Sequence, residues 1–291
     1  MRGPSRRQAI FSLFLNRDTG SDADEGSLEH VALHRRKRMT TIEKWEAGVP
    51  AWRLVMDLND KVALVTGGGR GIGRATAQQL AAKGVSVAIA ARSTAELDEV
   101  VTEIEASGGR AIGCPTDVTD KAAVHQTRDR VMSEFGRIDI LVNNAGVAIH
   151  NPIVDVREED WDLNIAVNLK GTFLCTQAVF AHMCERGSGH IVNVSSVSGN
   201  RGHVRGAAYC AAKAGAIALT ETTDAEGRPH GVKATVICPG PVDTRMRREN
   251  HPNDVLENLG QPEGIADAIL FVLSQPDSAH TIELIVRTPL M

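Results

Sequence analysis

Tyr209 and Lys213 stand four residues apart, Ser196 lies thirteen residues upstream of the tyrosine, and Tyr209 is the only tyrosine in the chain. On a helix, positions i and i+4 share a face, so an ammonium there can stand close to a phenol. A free phenol has a pKa of about 10, too high for efficient proton exchange near neutrality. A neighbouring cation stabilises the phenolate and lowers that value. A serine hydroxyl beside the phenol can hold a carbonyl oxygen in place. Together these groups make the proton-transfer apparatus of a carbonyl reductase. Such chemistry needs a hydride donor, so a nicotinamide site should lie elsewhere in the chain.

The segment Thr66-Gly67-Gly68-Gly69-Arg70-Gly71-Ile72-Gly73 follows an apolar run and opens a helical pattern, the context a dinucleotide loop requires. Glycines let the backbone approach a pyrophosphate, and a helix N-terminus supplies N–H donors and a positive dipole end. Gly67, Gly69, Arg70, Gly71, Ile72 and Gly73 are the candidate contacts. The spacing is Gly67-x-x-x-Gly71-x-Gly73, not the common G-x-G-x-x-G, and a tight structural turn is the alternative reading. The next apolar run ends at Ala91-Arg92-Ser93, where an NAD-type site carries an acid for the ribose 2′-hydroxyl. Arg92 and Arg70 instead suit a 2′-phosphate through their planar forks. The cofactor reading is therefore NADP(H) over NAD(H). The competing reading leaves Arg92 in solvent at the start of a helix.

These residues need elements to position them. Apolar runs at 62–65, 85–91, 111–114, 138–142, 190–194 and 233–238, with a seventh at 282–286, alternate with helical patterns. The helices are expected from the glycine turn to about 83, at 95–107, 120–135 and 161–184, around Tyr209, and at 265–273. This alternation predicts an α/β fold, a single Rossmann-type doubly wound parallel sheet of about seven strands with helices on both faces. Residues 56–291 make that domain. Residues 1–55 read as a disordered extension rich in Gly, Ser and charge, with 10 Lys/Arg against 7 Asp/Glu and the basic run Arg35-Arg36-Lys37-Arg38. The apolar stretch at 9–15 is too short to span a membrane. Met39 or Met56 are candidate starts.

Composition narrows the function classes. The chain is 42% hydrophobic and only 3% aromatic, so aliphatic side chains and Ala must fill the core. A net charge of −4 argues against a nucleic-acid partner, and no run suits a membrane. Cys114, Cys175, Cys184, Cys210 and Cys238 are odd in number and form no C-x-x-C pair, which indicates no metal site. They read as reduced thiols in a reducing, cytoplasmic compartment.

With the loop, Ser196, Tyr209 and Lys213 in hand, the chain resembles the short-chain dehydrogenase/reductase family over roughly residues 57–287. Asn143-Asn144-Ala145-Gly146 follows the fourth strand, Asp117-Val118 the third, and Asn168 lies within Val167-Asn168-Leu169-Lys170-Gly171. Pro239-Gly240-Pro241-Val242-Asp243-Thr244 is similar to the family's P-G-x-x-x-T segment. The resemblance implies a Ser-Tyr-Lys-Asn site. Tyr209 would be the general acid of reduction, Ser196 would orient the carbonyl, and Lys213 would bind the nicotinamide ribose and depress the phenol. Asn168 would hold a relay water. Asp117 and Val118 would lie beside adenine. Asn144, Ala145, Gly146, Pro239 and Gly240 would line the cofactor, and Val242 and Thr244 would meet the carboxamide. Ser195 and Ser198 compete with Ser196, which the thirteen-residue spacing favours.

The implied activity is reversible reduction of a ketone or 3-oxoacyl group to a secondary alcohol. Sugars, steroids or other alcohols are the alternatives, and a non-catalytic NADPH sensor is the reading from another class. A homodimer or homotetramer is implied as well. Three departures bear on this. Gly227 and Pro229 predict an early end to the Tyr209 helix. The segment after Thr244 is short, and its Arg245, Arg247 and Arg248 either attract an anionic substrate, such as an acyl-CoA, an acyl carrier protein or a small hydroxy acid, or form a solvated face. The C-terminus lacks the family's frequent V-D-G-G. It resembles the branch of NADP-dependent 3-hydroxy acid dehydrogenases and broad carbonyl reductases.

Overall fold

The computed structural model describes residues 56–287. The expected extension at 1–55 and the last four residues of the C-terminal pattern lie outside them. The strands are β1 (Val62–Thr66), β2 (Ser86–Ala91), β3 (Arg110–Pro115), β4 (Ile140–Asn143), β5 (Gly189–Val194), β6 (Val232–Pro239) and β7 (Glu283–Val286). They form one sheet in the order β3-β2-β1-β4-β5-β6-β7, and every neighbouring pair is parallel. The winding reverses between β1 and β4, which opens a crevice at the carboxyl ends of those strands.

The helices are α1 (Gly71–Ala82), α2 (Thr94–Ala106), α3 (Lys121–Phe135), α4 (Glu158–Ile165), α5 (Gly171–Arg186), α6 (Val197–Asn200), α7 (Ala207–Gly227), α8 (Arg245–Asn250) and α9 (Pro262–Leu273). Local chemistry sets several ends. Ser93 accepts from the Glu96 amide at 3.3 Å to start α2, and Asp120 accepts from Ala122 at 2.8 Å to start α3. Gly136, in the left-handed region at φ 77, stops α3.

Strand residues alternate between two cores. Ala63 and Val65 join Leu80, Val100 and Ile269 on one side, while Val62 and Leu64 join Val131, Leu174 and Met183 on the other. With both faces covered, the inner strands β1, β2 and β4 need no polar side and read as near-continuous apolar runs, while the edge strand β7 keeps alternate residues exposed. Among the described residues no helix is long and apolar enough to cross a membrane.

Two expectations are corrected. The helix expected at 161–184 spans α4 and α5 but carries a π-helical turn, Ala166–Lys170, between them. The Tyr209 helix does not end early: α7 runs 21 residues to Gly227. Gly227 fits because a Cβ there would meet Val232 at 3.0 Å and Phe180 at 3.2 Å. Pro229 falls in the following 3₁₀ turn, Arg228–His230, where its missing N–H costs no helical bond.

The amino ends of β1 and β4 are pinned by one carboxylate. Asp139, 4% exposed, accepts from the Val62 amide at 2.9 Å, from Arg137 at 2.9 Å and from Arg186 at 3.1 Å. Asp139→Ala strands three donors, two of them on arginines 35% exposed to water. It should cost about 1–3 kcal/mol, read as a lower urea midpoint. An unchanged midpoint would remove Asp139 from this role.

Candidate active site

The crevice is a cleft of about 780 Å³ at the carboxyl edge of the sheet. Its first wall is the β1–α1 turn. Gly67 (φ 63) and Gly71 (φ 54) take left-handed conformations that favour glycine. Arg70, at the N-cap of α1, makes no side-chain cap bond, so the first-turn amides are left for a ligand. Gly67, Gly69, Arg70, Gly71 and Ile72 line the cleft. Gly73 lies behind the turn, packed on the Gly67 carbonyl.

Polar side chains hold the strand ends around the crevice. The Thr66 hydroxyl accepts from the Asn144 and Ala145 amides at 3.1 Å each, and Asn144 Nδ2 donates to the carbonyls of Thr66 at 3.1 Å and Gly67 at 3.0 Å. Ala145 and Gly146 follow on the cleft wall.

The opposite wall begins at β5. Ser196 caps α6, its Oγ accepting from the Ser198 amide at 3.1 Å. Ser195 is buried and donates its hydroxyl to the Lys213 carbonyl at 2.9 Å, so it is committed to holding α7. Lys213 is only 5% exposed, and its Nζ donates to the Val194 carbonyl at 2.9 Å. The same Nζ stands 5.8 Å from the centroid of the Tyr209 ring. Burial pushes the Lys213 ammonium down to about 8. Burial also raises the Tyr209 phenol above its ordinary value, against the opposing pull of the Ser196 hydrogen bond and the Arg247 charge. The expectation of a phenol depressed by Lys213 is therefore corrected for this state. The i and i+4 side chains share a face, but the ammonium is directed at the end of β5, and loss of water dominates the phenol.

Asn168 sits in the π turn, 1% exposed. Its Nδ2 donates to the carbonyls of Val147 and Asn164, both at 2.9 Å, and its Oδ1 accepts from the Val147 amide at 3.2 Å. This exchange ties the turn to the segment after β4. A Cβ added at Gly146 would lie 2.9 Å from Asn168 Oδ1 and 3.7 Å from Lys213 Nζ, so glycine keeps the space between amide and ammonium clear.

At the far end, Arg70 pairs with Glu96 at 3.2 Å. Arg92 lines the cleft and has no ion-pair partner among the described residues. Asp117 accepts from the Thr119 amide at 2.9 Å and hydroxyl at 2.7 Å, which holds its carboxyl below the usual range, and Val118 lies next to it on the wall. Pro239, Gly240, Val242 and Thr244 close the cleft from β6, and Thr244 caps α8 by accepting from Arg247 at 3.2 Å. The arginines of α8 are not free charges. Arg245 binds Glu249 at 2.7 Å, Arg247 binds Asp254 at 2.5 Å, and Arg248 binds Asp243 at 2.6 Å.

The cleft thus gathers every site residue expected from sequence except Gly73. It also holds groups that sequence did not single out: Glu96, and the imidazoles of His150, His203 and His251. The histidines come from three separate loops and match no spacing pattern. All five thiols are free, and burial pushes those of Cys175 and Cys238 up to about 12.

A family model described as short chain dehydrogenase matches residues 61–254. A 3-oxoacyl-[acyl-carrier-protein] reductase of Synechocystis sp. is 41% identical over 229 residues, 77% of this chain and 93% of that protein. An uncharacterized oxidoreductase of Staphylococcus aureus (strain USA300) is 37% identical over 79% of this chain and 98% of its own length. Among solved structures, a metagenomic short-chain oxidoreductase in complex with NADP superposes with a TM-score of 0.71 at 34% identity, covering 81% of this chain and all of that one. An alcohol dehydrogenase from the archaeon Thermococcus sibiricus, complexed with 5-hydroxy-NADP, gives 0.74 at 30% identity over 79% of this chain and 97% of its own.

Gly73 and Gly264 offer the same substitution in opposite surroundings. A Cβ at Gly73 would stand 2.2 Å from the Gly67 carbonyl oxygen, whereas one at Gly264, in the first turn of α9, meets nothing within 4 Å. Gly73→Ala should destabilise by about 1–3 kcal/mol through overpacking. Gly264→Ala should stabilise by up to about 1 kcal/mol. Thermal unfolding of the two variants should move in opposite directions. Equal shifts would show that the loop tolerates the extra carbon.

Proposed function

The chain belongs to the short-chain dehydrogenase/reductase family, and we propose that it is an NADP(H)-dependent oxidoreductase interconverting a ketone, 3-oxoacyl or similar carbonyl with a secondary alcohol. The observation that carries this reading is the meeting of Ser196, Tyr209 and Lys213 on one wall of a cleft that begins at a glycine turn. The printed descriptions of the relatives support it: two solved neighbours hold NADP or 5-hydroxy-NADP, and one relative is a 3-oxoacyl reductase.

A dinucleotide fits these residues. The uncapped amides of α1 and the bare glycine backbone suit a pyrophosphate. Arg92, uncommitted at the end of β2, suits a 2′-phosphate, while Arg70 already has Glu96. Asp117 and Val118 would flank the adenine, and Val242 and Thr244 the carboxamide. When bound, the cofactor supplies the hydride.

The chain's own groups handle the proton. Ser196 holds the carbonyl oxygen, and Tyr209 donates to it. A phenol raised by burial stays protonated at neutral pH, which suits a proton donor for reduction. Lys213 lies between the end of β5 and the gap at Gly146, where it would hold the nicotinamide ribose and replace the proton through a water on the Asn168 side.

Tyr209→Phe should lower the rate of NADPH-dependent ketone reduction by about 10²–10⁴-fold while leaving NADPH binding nearly intact. The wild-type rate should fall as pH rises through about 8, where Lys213 loses its charge. Retained turnover in the variant, or a rate that climbs through that range, would remove the assigned roles. Arg92→Ala should raise KM for NADPH by about tenfold or more, the scale of a lost charge-assisted hydrogen bond, and move KM for NADH far less. Equal changes would place Arg92 outside the phosphate site.

A further inference from the structure

An imidazole packs on Tyr209 and two more pack on that imidazole, and the proton relay uses none of them. The His150 ring packs edge-on against the Tyr209 ring at 5.3 Å between centroids, with His203 at 5.4 Å and His251 at 5.8 Å from His150. Among the described residues no three His, Cys, Asp or Glu side chains are grouped to hold a metal ion, so a metal does not explain the cluster. His150 Nδ1 is buried with no hydrogen-bond partner among the described residues. His203 Nδ1 donates to the Val204 carbonyl at 2.9 Å, so its free Nε2 becomes a donor to an anion only when the ring takes up a proton.

The arrangement is held under strain. Arg205 has φ 68, a left-handed conformation uncommon outside glycine, and its guanidinium donates to the His150 carbonyl at 3.1 Å. That bond fixes the loop bearing His203 against His150. Strain of this kind persists where the surroundings impose it and clusters at ligand sites.

Arg205, which has no ion-pair partner among the described residues, is an unbalanced positive charge beside the cluster. His150 faces His203, His251, Arg205 and the neutral Tyr209. His251 feels Arg247, His203 and Arg205, and the one carboxylate it feels, Asp254, is bound to Arg247 at 2.5 Å. An anion is the missing complement.

We propose that His150, His203 and His251 form the subsite for a carboxylate of the substrate, so that the substrate class is a free oxo acid or hydroxy acid. This rests on the carbonyl-reductase reading. Contact with the Tyr209 ring places the subsite a few bonds from the reacting carbonyl, where a free 3-oxo acid carries its carboxylate. A thioester or ester is neutral at that position and offers only a carbonyl acceptor, weaker than a carboxylate and with no charge to favour a protonated imidazole.

Binding should take up a proton. Burial, with the neighbouring His203, His251 and Arg205, pushes His150 down to about 4, and burial also lowers His251. Both are therefore neutral at pH 7 in the free protein. A bound carboxylate raises these values, so affinity for the acid should strengthen as pH falls.

The test compares acetoacetate with its methyl ester, using NADPH and the full chain. In the wild type, KM for acetoacetate should fall severalfold from pH 8 to pH 6 while KM for the ester stays flat. His203→Gln and His251→Gln should each raise KM for acetoacetate by about tenfold or more, the scale of a hydrogen bond to a charged group, with the ester changed less than about threefold on the same scale. Equal losses on both substrates, or identical pH profiles, would overturn the subsite. Acetate added to the NADP⁺-loaded protein should raise the NMR titration midpoints of the histidine C2–H signals, assigned with the same variants and His150→Gln. Unmoved midpoints would sink the subsite whether or not ketones turn over. Reduction of neither substrate, with midpoints that do move, would instead refute the reductase reading and leave the carboxylate site standing.

Discussion

Seven parallel strands place all their carboxyl ends on one edge of the sheet, and each connection from that edge must pass through a turn before a helix can return. Those turns have no ladder partners, so their side chains and amides are free for chemistry. Where the winding reverses between β1 and β4 the turns part in opposite directions and leave a cleft. The glycine turn after β1, the Arg92 corner after β2, Asp117 after β3, Asn144 after β4, Ser196 after β5 and Thr244 after β6 all reach one cavity for this reason. No residue had to be moved individually to the site. The sheet order did it once for all of them.

Buried polar links convert that shared edge into fixed geometry. Asn143 on β4 donates to Asn193 on β5 at 2.9 Å and to Thr176 on α5 at 3.1 Å, and Asn193 donates to Thr220 on α7 at 2.8 Å. All four side chains are buried, where an unpaired amide or hydroxyl is costly. Sliding either helix would break several of these bonds at once. The helices carrying Asn168 and Tyr209 are therefore locked in register with β4 and β5, and Lys213 adds a second lock on Val194. Burial that provides rigidity also sets acidity: it raises the phenol, which stays neutral, and lowers the ammonium to about 8, so that it loses its charge just above neutral pH.

The wall that bears Tyr209 and the imidazole cluster differ in how they are encoded. Tyr209 and Lys213 share a helix, so their relation is a property of local spacing. Asn168 was recognisable only through the resemblance, and its π turn was not visible, because the turn answers hydrogen bonds with Val147, twenty-one residues away. The α8 arginines were legible as charge, but their neutralisation depends on Asp243, Glu249 and Asp254 adopting matching positions. For Gly227 and Pro229, local propensity predicted a broken helix. Packing on Val232 and Phe180 overrode it, because tertiary burial outweighs a propensity difference of about 1 kcal/mol.

Sequence alone determined what short-range physics controls: the alternation of strands and helices, the glycine turn, the i and i+4 pair and Arg92 in place of an acid. These follow from periodicity, backbone freedom and charge within a few residues. Tertiary structure alone decided which groups share solvent and field. It committed Ser195 to Lys213, turned the ammonium toward Val194, set Gly73 behind its loop and brought His150, His203 and His251 together from three loops. Those outcomes depend on burial and on contacts between distant segments, which no local pattern encodes.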